Sequence, residues 1–233
     1  MAPKLDPFRF VRTVLNSFMA ESGLEPRIFG AKSLRITHAN EGVVKFELNI
    51  NQHHLNRLKI LHGGTIAALV DLGGSLAVAS KGHYSTGVST DLNVTYLKSG
   101  GKKWSKLRAT AVCQRIGKTL AYTSVTFWDE KRQMVARGSH TKFVALAVAG
   151  SEPYTVPEGA EKYIAEETDA PMERVAVPKG GEQAAAMETA ATEEPSTEEP
   201  SEEPSTVPGG GEASTVPEGA DQQVAEEAPA PKP

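Results

Sequence analysis

The stretch Leu61–Ser80, LHGGTIAALVDLGGSLAVAS, decides the fold. From Gly64 onward nearly every residue is apolar or small. Ile66, Ala67, Leu69, Val70, Leu72, Leu76, Ala77 and Val78 are spread round a helical wheel rather than along one stripe. A helix that is apolar on every side is expected to be buried. It is short and glycine-containing beside the roughly 20 apolar residues of a bilayer span, so it reads as the central core helix of a soluble domain. One ionisable residue, Asp71, sits inside it.

A buried carboxylate without a partner is costly, so a fold keeps one because it is paired or because chemistry uses it. A structural Asp bonded to backbone or to a Ser is one reading; a catalytic base is the other. The helix entrance favours the second. Gly63 and Gly64 are expected to leave the first-turn N–H groups uncovered, where the helix dipole can hold a developing oxyanion. Gly63 and Asp71 are eight positions apart, about 12 Å along a helix, too far to act on one atom within one chain. A two-fold dimer, with one helix N-terminus beside the middle of its mate, would bring them together.

Composition divides the chain. Residues 1–150 carry 21 Lys and Arg against 9 Asp and Glu, a net of +12, while residues 151–233 carry 4 against 20, a net of −16. Twelve of the 15 prolines also follow residue 150. This Pro, Glu, Ser and Thr-rich tail repeats TVPEGA at Thr155–Ala160 and Thr215–Ala220 and offers little apolar surface, so disorder over 149–233 is expected. Its charge suggests a weak, salt-sensitive contact with the basic domain. Cys113, the single cysteine, excludes an intrachain disulfide and reads as a buried strand residue. The N-terminus lacks an uninterrupted apolar segment of the secretory kind, so a cytoplasmic protein is expected. Arg9 and Arg12 among apolar residues leave a mitochondrial presequence as the alternative.

Apolar residues at Phe8, Val11, Leu15, Phe18 and Met19 predict an amphipathic helix stopped by Gly23 and Pro26, within a helical segment 1–30. The main domain, 31–148, opens with a strand near Ser33–His38. Val44, Phe46, Leu48 and Ile50 then alternate with Lys45, Glu47 and Asn49 along a second strand. The loop after it carries His53 and His54, which lack the companions of a metal site. Beyond the helix, Gly87–Leu97, Lys103–Gln114, Thr119–Trp128 and Met134–Leu146 read as long strands. Short turns at Ser99–Gly101, Arg115–Gly117 and Asp129–Lys131 predict successive antiparallel hairpins, a four-strand meander. The expected class is α+β, one antiparallel sheet wrapped round a single helix.

Four blocks in register carry a resemblance over roughly Leu34–Phe143. They are Asn56 with Leu61, His62, Gly63 and Gly64; then Leu69, Val70 and Asp71; then Gly87–Tyr96 (GVSTDLNVTY); then Gly117–Ala121 (GKTLA). Together they resemble the hotdog-fold acyl-CoA thioesterases of the phenylacetic-acid-degradation type and its thioesterase superfamily member 2 branch. That resemblance implies thioester hydrolysis of acyl-CoA in fatty acid metabolism, with neither metal nor covalent cofactor, in a site shared across a homodimer or a dimer of dimers. Position by position, it implies that Asn56 and the Gly63 N–H polarise the carbonyl, with His62 beside them. Asp71 and Ser89, from the opposing subunit, activate the water. Gly64, Gly117, Lys118 and Thr119 would line the bound CoA, although Lys118 also reads as a solvated lysine at a turn.

GKT is not a phosphate loop of the Walker type, since position 112, where that motif needs Gly, is Val. The turn after Tyr96 departs from the family in carrying Lys98, Lys102 and Lys103. A non-catalytic acyl-CoA-binding or scaffold module would keep the same core helix and is the alternative reading; a hotdog hydratase lacks an evident Asp–His dyad on one loop. The basic domain has no nucleic-acid-binding motif, and steering anionic CoA gives its charge a use. No stable membrane insertion is expected.

Overall fold

A computed structural model describes residues 4–167. The order is α1 (Pro7–Glu21), α2 (Glu25–Ser33), β1 (Leu34–Asn40), β2 (Val43–Asn49), α3 (Gly63–Ala79), β3 (Val88–Tyr96), β4 (Lys106–Ile116), β5 (Leu120–Trp128), β6 (Met134–Phe143) and a four-residue α4 (Ala145–Val148). One six-stranded antiparallel sheet wraps α3, the hotdog arrangement expected from the sequence. No helix among the described residues is long and apolar enough to cross a membrane.

The core forms where the alternating strand faces meet α3. Leu69, Leu72 and Leu76 of the helix pack with Phe46 of β2 and Phe127 of β5, whose rings meet edge to face at 6.5 Å. Burying each of these side chains contributes about 2 kcal/mol. Asp6 caps α1 by accepting from the N–H groups of Phe8 and Arg9. α1 ends at Glu21, ahead of Gly23 as expected, and Pro26 stands in the first turn of α2, where its missing N–H costs nothing.

The strand order is β1-β2-β4-β5-β6-β3, which corrects the expected meander. β4, β5 and β6 do form consecutive hairpins, but β3 pairs with β6 and β4 pairs with β2. Ser99–Gly101 is therefore not a hairpin turn. Residues 97–105 cross from the β3 edge past β6 and β5 to β4, three strand spacings or about 14 Å, well within reach of nine residues. The crossing runs against the entrance of α3, where Leu61 N–H donates to Gly101 O at 2.9 Å and a Cβ on Gly100 would lie 2.7 Å from Leu61. The glycines are needed for this packing rather than for a tight reversal.

Residues 151–167, within the segment assigned by composition to the tail, are instead ordered and anchor several side chains on the domain. Val156 is fully buried, the Tyr154 phenol donates to Ser80 O at 2.9 Å, and its ring meets Phe10 edge to face. Arg9 Nε donates to Ala165 O at 2.8 Å, and Ala165 N–H donates to Thr13 Oγ1 at 3.0 Å. Composition averaged over the whole acidic stretch hides Tyr154, Val156, Tyr163 and Ile164, which supply this contact. The remainder of the expected tail, 168–233, lies outside the described residues.

Candidate active site

The N-terminus of α3 is shaped by the loop before it. Asn56 Oδ1 accepts from the N–H groups of Leu58 (2.9 Å) and Ile60 (3.3 Å), fixing a tight turn. With the oxygen so engaged, the amide nitrogen, a donor without a partner among the described residues, is the end left for a ligand. His62 is the N-cap of α3, and its Nδ1 accepts from Gly64 N–H at 2.8 Å. Gly64 therefore does not offer the uncovered donor expected of it: the ring of His62 covers it. The Gly63 N–H, one position earlier, has no partner among the described residues. The Tyr96 hydroxyl donates to Gly63 O at 3.0 Å and holds the end of β3 against this corner.

Two turns along α3 stands a second group. Ser89 Oγ donates to Asp71 Oδ1 at 2.7 Å. His140 of β6, fully buried, places Nε2 2.9 Å from Ser89 Oγ and 3.1 Å from Asp71 Oδ1. The single Ser89 proton is committed to Asp71, so the proton shared with His140 must sit on Nε2, leaving Nδ1 bare. Nδ1 is indeed buried without a partner. Burial holds the His140 pKa down at about 4, the nearby Lys142 cation pushes the same way, and Asp71 and Asp91 only partly offset them. The imidazole is thus neutral at neutral pH.

A β-bulge aims Ser89. Ser89 pairs with Lys142 and Asp91 with Thr141, so Thr90 is an extra residue and its hydroxyl donates to Thr141 O. The insertion breaks strict alternation and turns Ser89 toward α3, a common use of bulges beside active sites. Gly87, at φ +74°, immediately precedes this strand, where a Cβ would lie 2.1 Å from Phe143 O. Gly74 lets His140 approach the helix, since a Cβ there would lie 2.5 Å from Nδ1.

Asp71 corrects one expectation: its side chain is 41% exposed in the single chain rather than buried. It lies on a stripe with Gly64, Ala67 and Ala68 that the sheet leaves partly uncovered. Sequence reasoning missed His140 and Lys142. The signal was the inward face of β6, where Ala136, Gly138, His140 and Lys142 place two ionisable residues in a core-facing row. Lys142 is only 3% exposed, and burial lowers its pKa, with Asp71 acting in the other direction.

The structure thus makes two groups rather than one. Asn56, His62 and Gly63 stand at the helix entrance; Asp71, Ser89 and His140 stand about 12 Å along the axis. Gly117, Lys118 and Thr119 form the β4–β5 turn, where Gly117 N–H donates to Leu120 O and Thr119 O accepts from Val144 N–H. Leu120 and Val88 both pair with Phe143, so this exposed turn lies at the same end of the sheet as Ser89, about 10 Å across two strand spacings.

Comparisons with known proteins agree with this architecture. The family model for the thioesterase superfamily matches residues 58–136. A Schizosaccharomyces pombe protein, named only provisionally as an esterase, is 45% identical over 139 residues, 60% of this chain and 85% of that protein. Human acyl-coenzyme A thioesterase 13 is 33% identical over 133 residues, 57% of this chain and 92% of its own length. The crystal structure of zebra fish thioesterase superfamily member 2 aligns with a TM-score of 0.53 at 30% identity, covering 60% of this chain and 98% of that one. With its one-helix sheet and relatives matched over nearly their whole length, this chain belongs to the thioesterase superfamily.

Proposed function

We propose that the protein hydrolyses acyl-CoA thioesters in sites shared between two copies of the chain. The observation that carries this reading is the Asp71–Ser89–His140 array, in which a half-exposed carboxylate is oriented by two hydrogen-bonding groups. Asp71 takes a proton from water as the water attacks the thioester carbonyl. The oxygen that becomes negative is held by Gly63 N–H and the Asn56 amide of the other copy. Collapse breaks the carbon–sulfur bond, and the proton held by Asp71 passes to the departing sulfur, giving a carboxylic acid and CoA thiol.

Two features support a shared site. The donors and the base lie about 12 Å apart along one rigid helix. β3 is also an edge strand exposed along nearly its whole length, flanked by the uncovered stripe of Gly64, Ala67, Ala68 and Asp71. Unpaired edges of this kind are usually covered. The name of the human relative and the net charge of +12 over residues 1–150, which suits an anionic substrate, support acyl-CoA as the substrate class.

The test mixes two inactive variants. Asp71→Asn and Asn56→Asp proteins, unfolded together and refolded, regain about a quarter of wild-type turnover if each site draws on both copies, because half of the pairs are mixed and each holds one intact site. No recovery overturns the shared site. Undiminished hydrolysis by folded Asp71→Asn overturns Asp71 as the base, and absence of hydrolysis by the folded wild-type chain overturns the catalytic reading in favour of a binding module.

A further inference from the structure

Two loop tips outside the proposed site stand side by side at one end of the sheet. Ile60 and Lys102 form an isolated antiparallel bridge, and Leu61 N–H donates to Gly101 O. Two residues from the bridge on one side is Leu58, 76% exposed; two residues from it on the other is Trp104, 81% exposed. Neither is loosely held. Leu58 N–H donates to Asn56 Oδ1, and Trp104 N–H donates to Ile50 O at 2.8 Å within a turn closed by Ser105. Large apolar side chains presented this fully on ordered backbone mark an interaction surface.

The charge around them is of one sign. Arg57, Lys59, Lys102 and Lys103 are exposed and none is ion-paired among the described residues; Lys103 instead lies 4.7 Å over the Trp104 ring. Lys98 is satisfied by Asp129 and does not add to them. Neither 51–62 nor 97–105 contains an Asp or Glu. A second copy is a poor occupant, because a two-fold contact through this patch would set the four cations against the same four. Nucleic acid would leave Leu58 without a use.

We propose that the loop tips at 57–60 and 102–104 form a peripheral docking surface for anionic lipid bilayers. Trp104 enters at headgroup depth, Leu58 reaches the acyl boundary, and the four cations meet lipid phosphates and carboxylates. Protruding side chains need no pocket in such a partner. Leu58 belongs to the turn fixed by Asn56, so docking brings the proposed hydrolytic site to the surface in which long acyl chains dissolve. That consequence rests on the proposed function; the docking itself does not.

The experiment is co-sedimentation of the full chain with vesicles of phosphatidylserine and phosphatidylcholine, and with vesicles of phosphatidylcholine alone, at low and high salt. Binding is expected only to the anionic vesicles, with release by salt and a blue shift of indole emission that is absent from Trp104→Gly. Glycine suits the Trp104 backbone, whose φ is 74°, so this variant should fold. Lys102→Gln with Lys103→Gln should weaken partitioning about 25-fold, at about fivefold per cation near the surface. Failure of the wild-type chain to sediment with anionic vesicles overturns the proposal. So does equal retention of the Trp104→Gly, Leu58→Ser double variant, or capture by an oligonucleotide or acidic polypeptide in preference to vesicles. Hydrolysis is not the readout, so the catalytic reading can fail without touching this result.

Discussion

Ser89 and Asp71 lie 18 residues apart on different elements, yet the Ser89 hydroxyl donates to the Asp71 carboxylate at 2.7 Å, with His140 Nε2 within 3.1 Å of both. The serine cannot be the nucleophile of a serine–histidine pair, because its proton points at the carboxylate and the histidine nitrogen facing it carries a proton. In the proposed function the array positions an acceptor for water. Asp71→Asn should lower kcat by about 10²- to 10⁴-fold while preserving the fold, and Ser89→Ala should cost less because it removes orientation rather than the base. Single-turnover hydrolysis of an acyl-CoA measures both, and equal losses would refute this division of roles.

Asn56 separates two functions within one side chain. Asn56→Asp keeps an oxygen for the Leu58 and Ile60 N–H groups but removes the amide donor. Unchanged thermal stability is expected, together with a fall in kcat of about 10²-fold, the usual cost of one oxyanion donor. A rise in KM alone, with kcat intact, would contradict polarisation of the carbonyl by this residue.

His140 makes stability depend on pH. Its folded pKa of about 4 lies below the ordinary 6.5, so between those values the unfolded chain binds the extra proton. Stability therefore rises with pH through this window and is lost as pH falls toward 4, by about 3 kcal/mol for a shift of this size. Denaturant unfolding followed from neutral pH down to about 4 should show this slope in the wild-type chain and a flatter one in His140→Gln. Parallel curves would remove His140 as the cause.

Gly74 and Gly73 provide a contrast. Ala at 74 puts a Cβ 2.5 Å from His140 Nδ1 and 2.6 Å from Thr123 Oγ1. The helix-propensity gain of about 1 kcal/mol is outweighed by overpacking of about 1–3 kcal/mol, and displacing His140 should also reduce kcat. At Gly73 the nearest atoms belong to Phe46 and Val125, at 3.1–3.2 Å. Gly73→Ala should therefore affect melting without a comparable kcat loss. Matching kcat losses in the two variants would argue against a positioning role for His140.

The packed segment 151–167 fixes where the chain can be shortened. Ending at Gly150 exposes the site of Val156 and removes the Tyr154–Ser80 hydrogen bond, a loss of about 3 kcal/mol that should lower the melting temperature by several degrees. Ending at Glu167 should leave melting and kcat unchanged. Equal melting of the two truncated chains would show that the docked segment contributes no stability.

The central helix was legible in the sequence, and the motif spacing singled out Asp71 and Ser89, which the structure joins by a hydrogen bond. Helical burial, strand alternation and motif spacing are local properties, written within a few turns or a single strand. Spacing along α3 also implied that Gly63 and Asp71 do not meet within one chain, since helical rise is fixed by backbone geometry. The placement of β3 against β6, the bulge that turns Ser89 toward Asp71, and the arrival of His140 and Lys142 beside that pair depended on tertiary structure. Strand pairing joins residues far apart in the chain, and the β3–β4 connection is compatible in length with either a hairpin or a crossover. Only packing of Gly100 and Gly101 against the entrance of α3 selected the crossover. Which first-turn N–H stayed open was likewise decided in three dimensions, because His62 folds back onto Gly64 and leaves Gly63 uncovered.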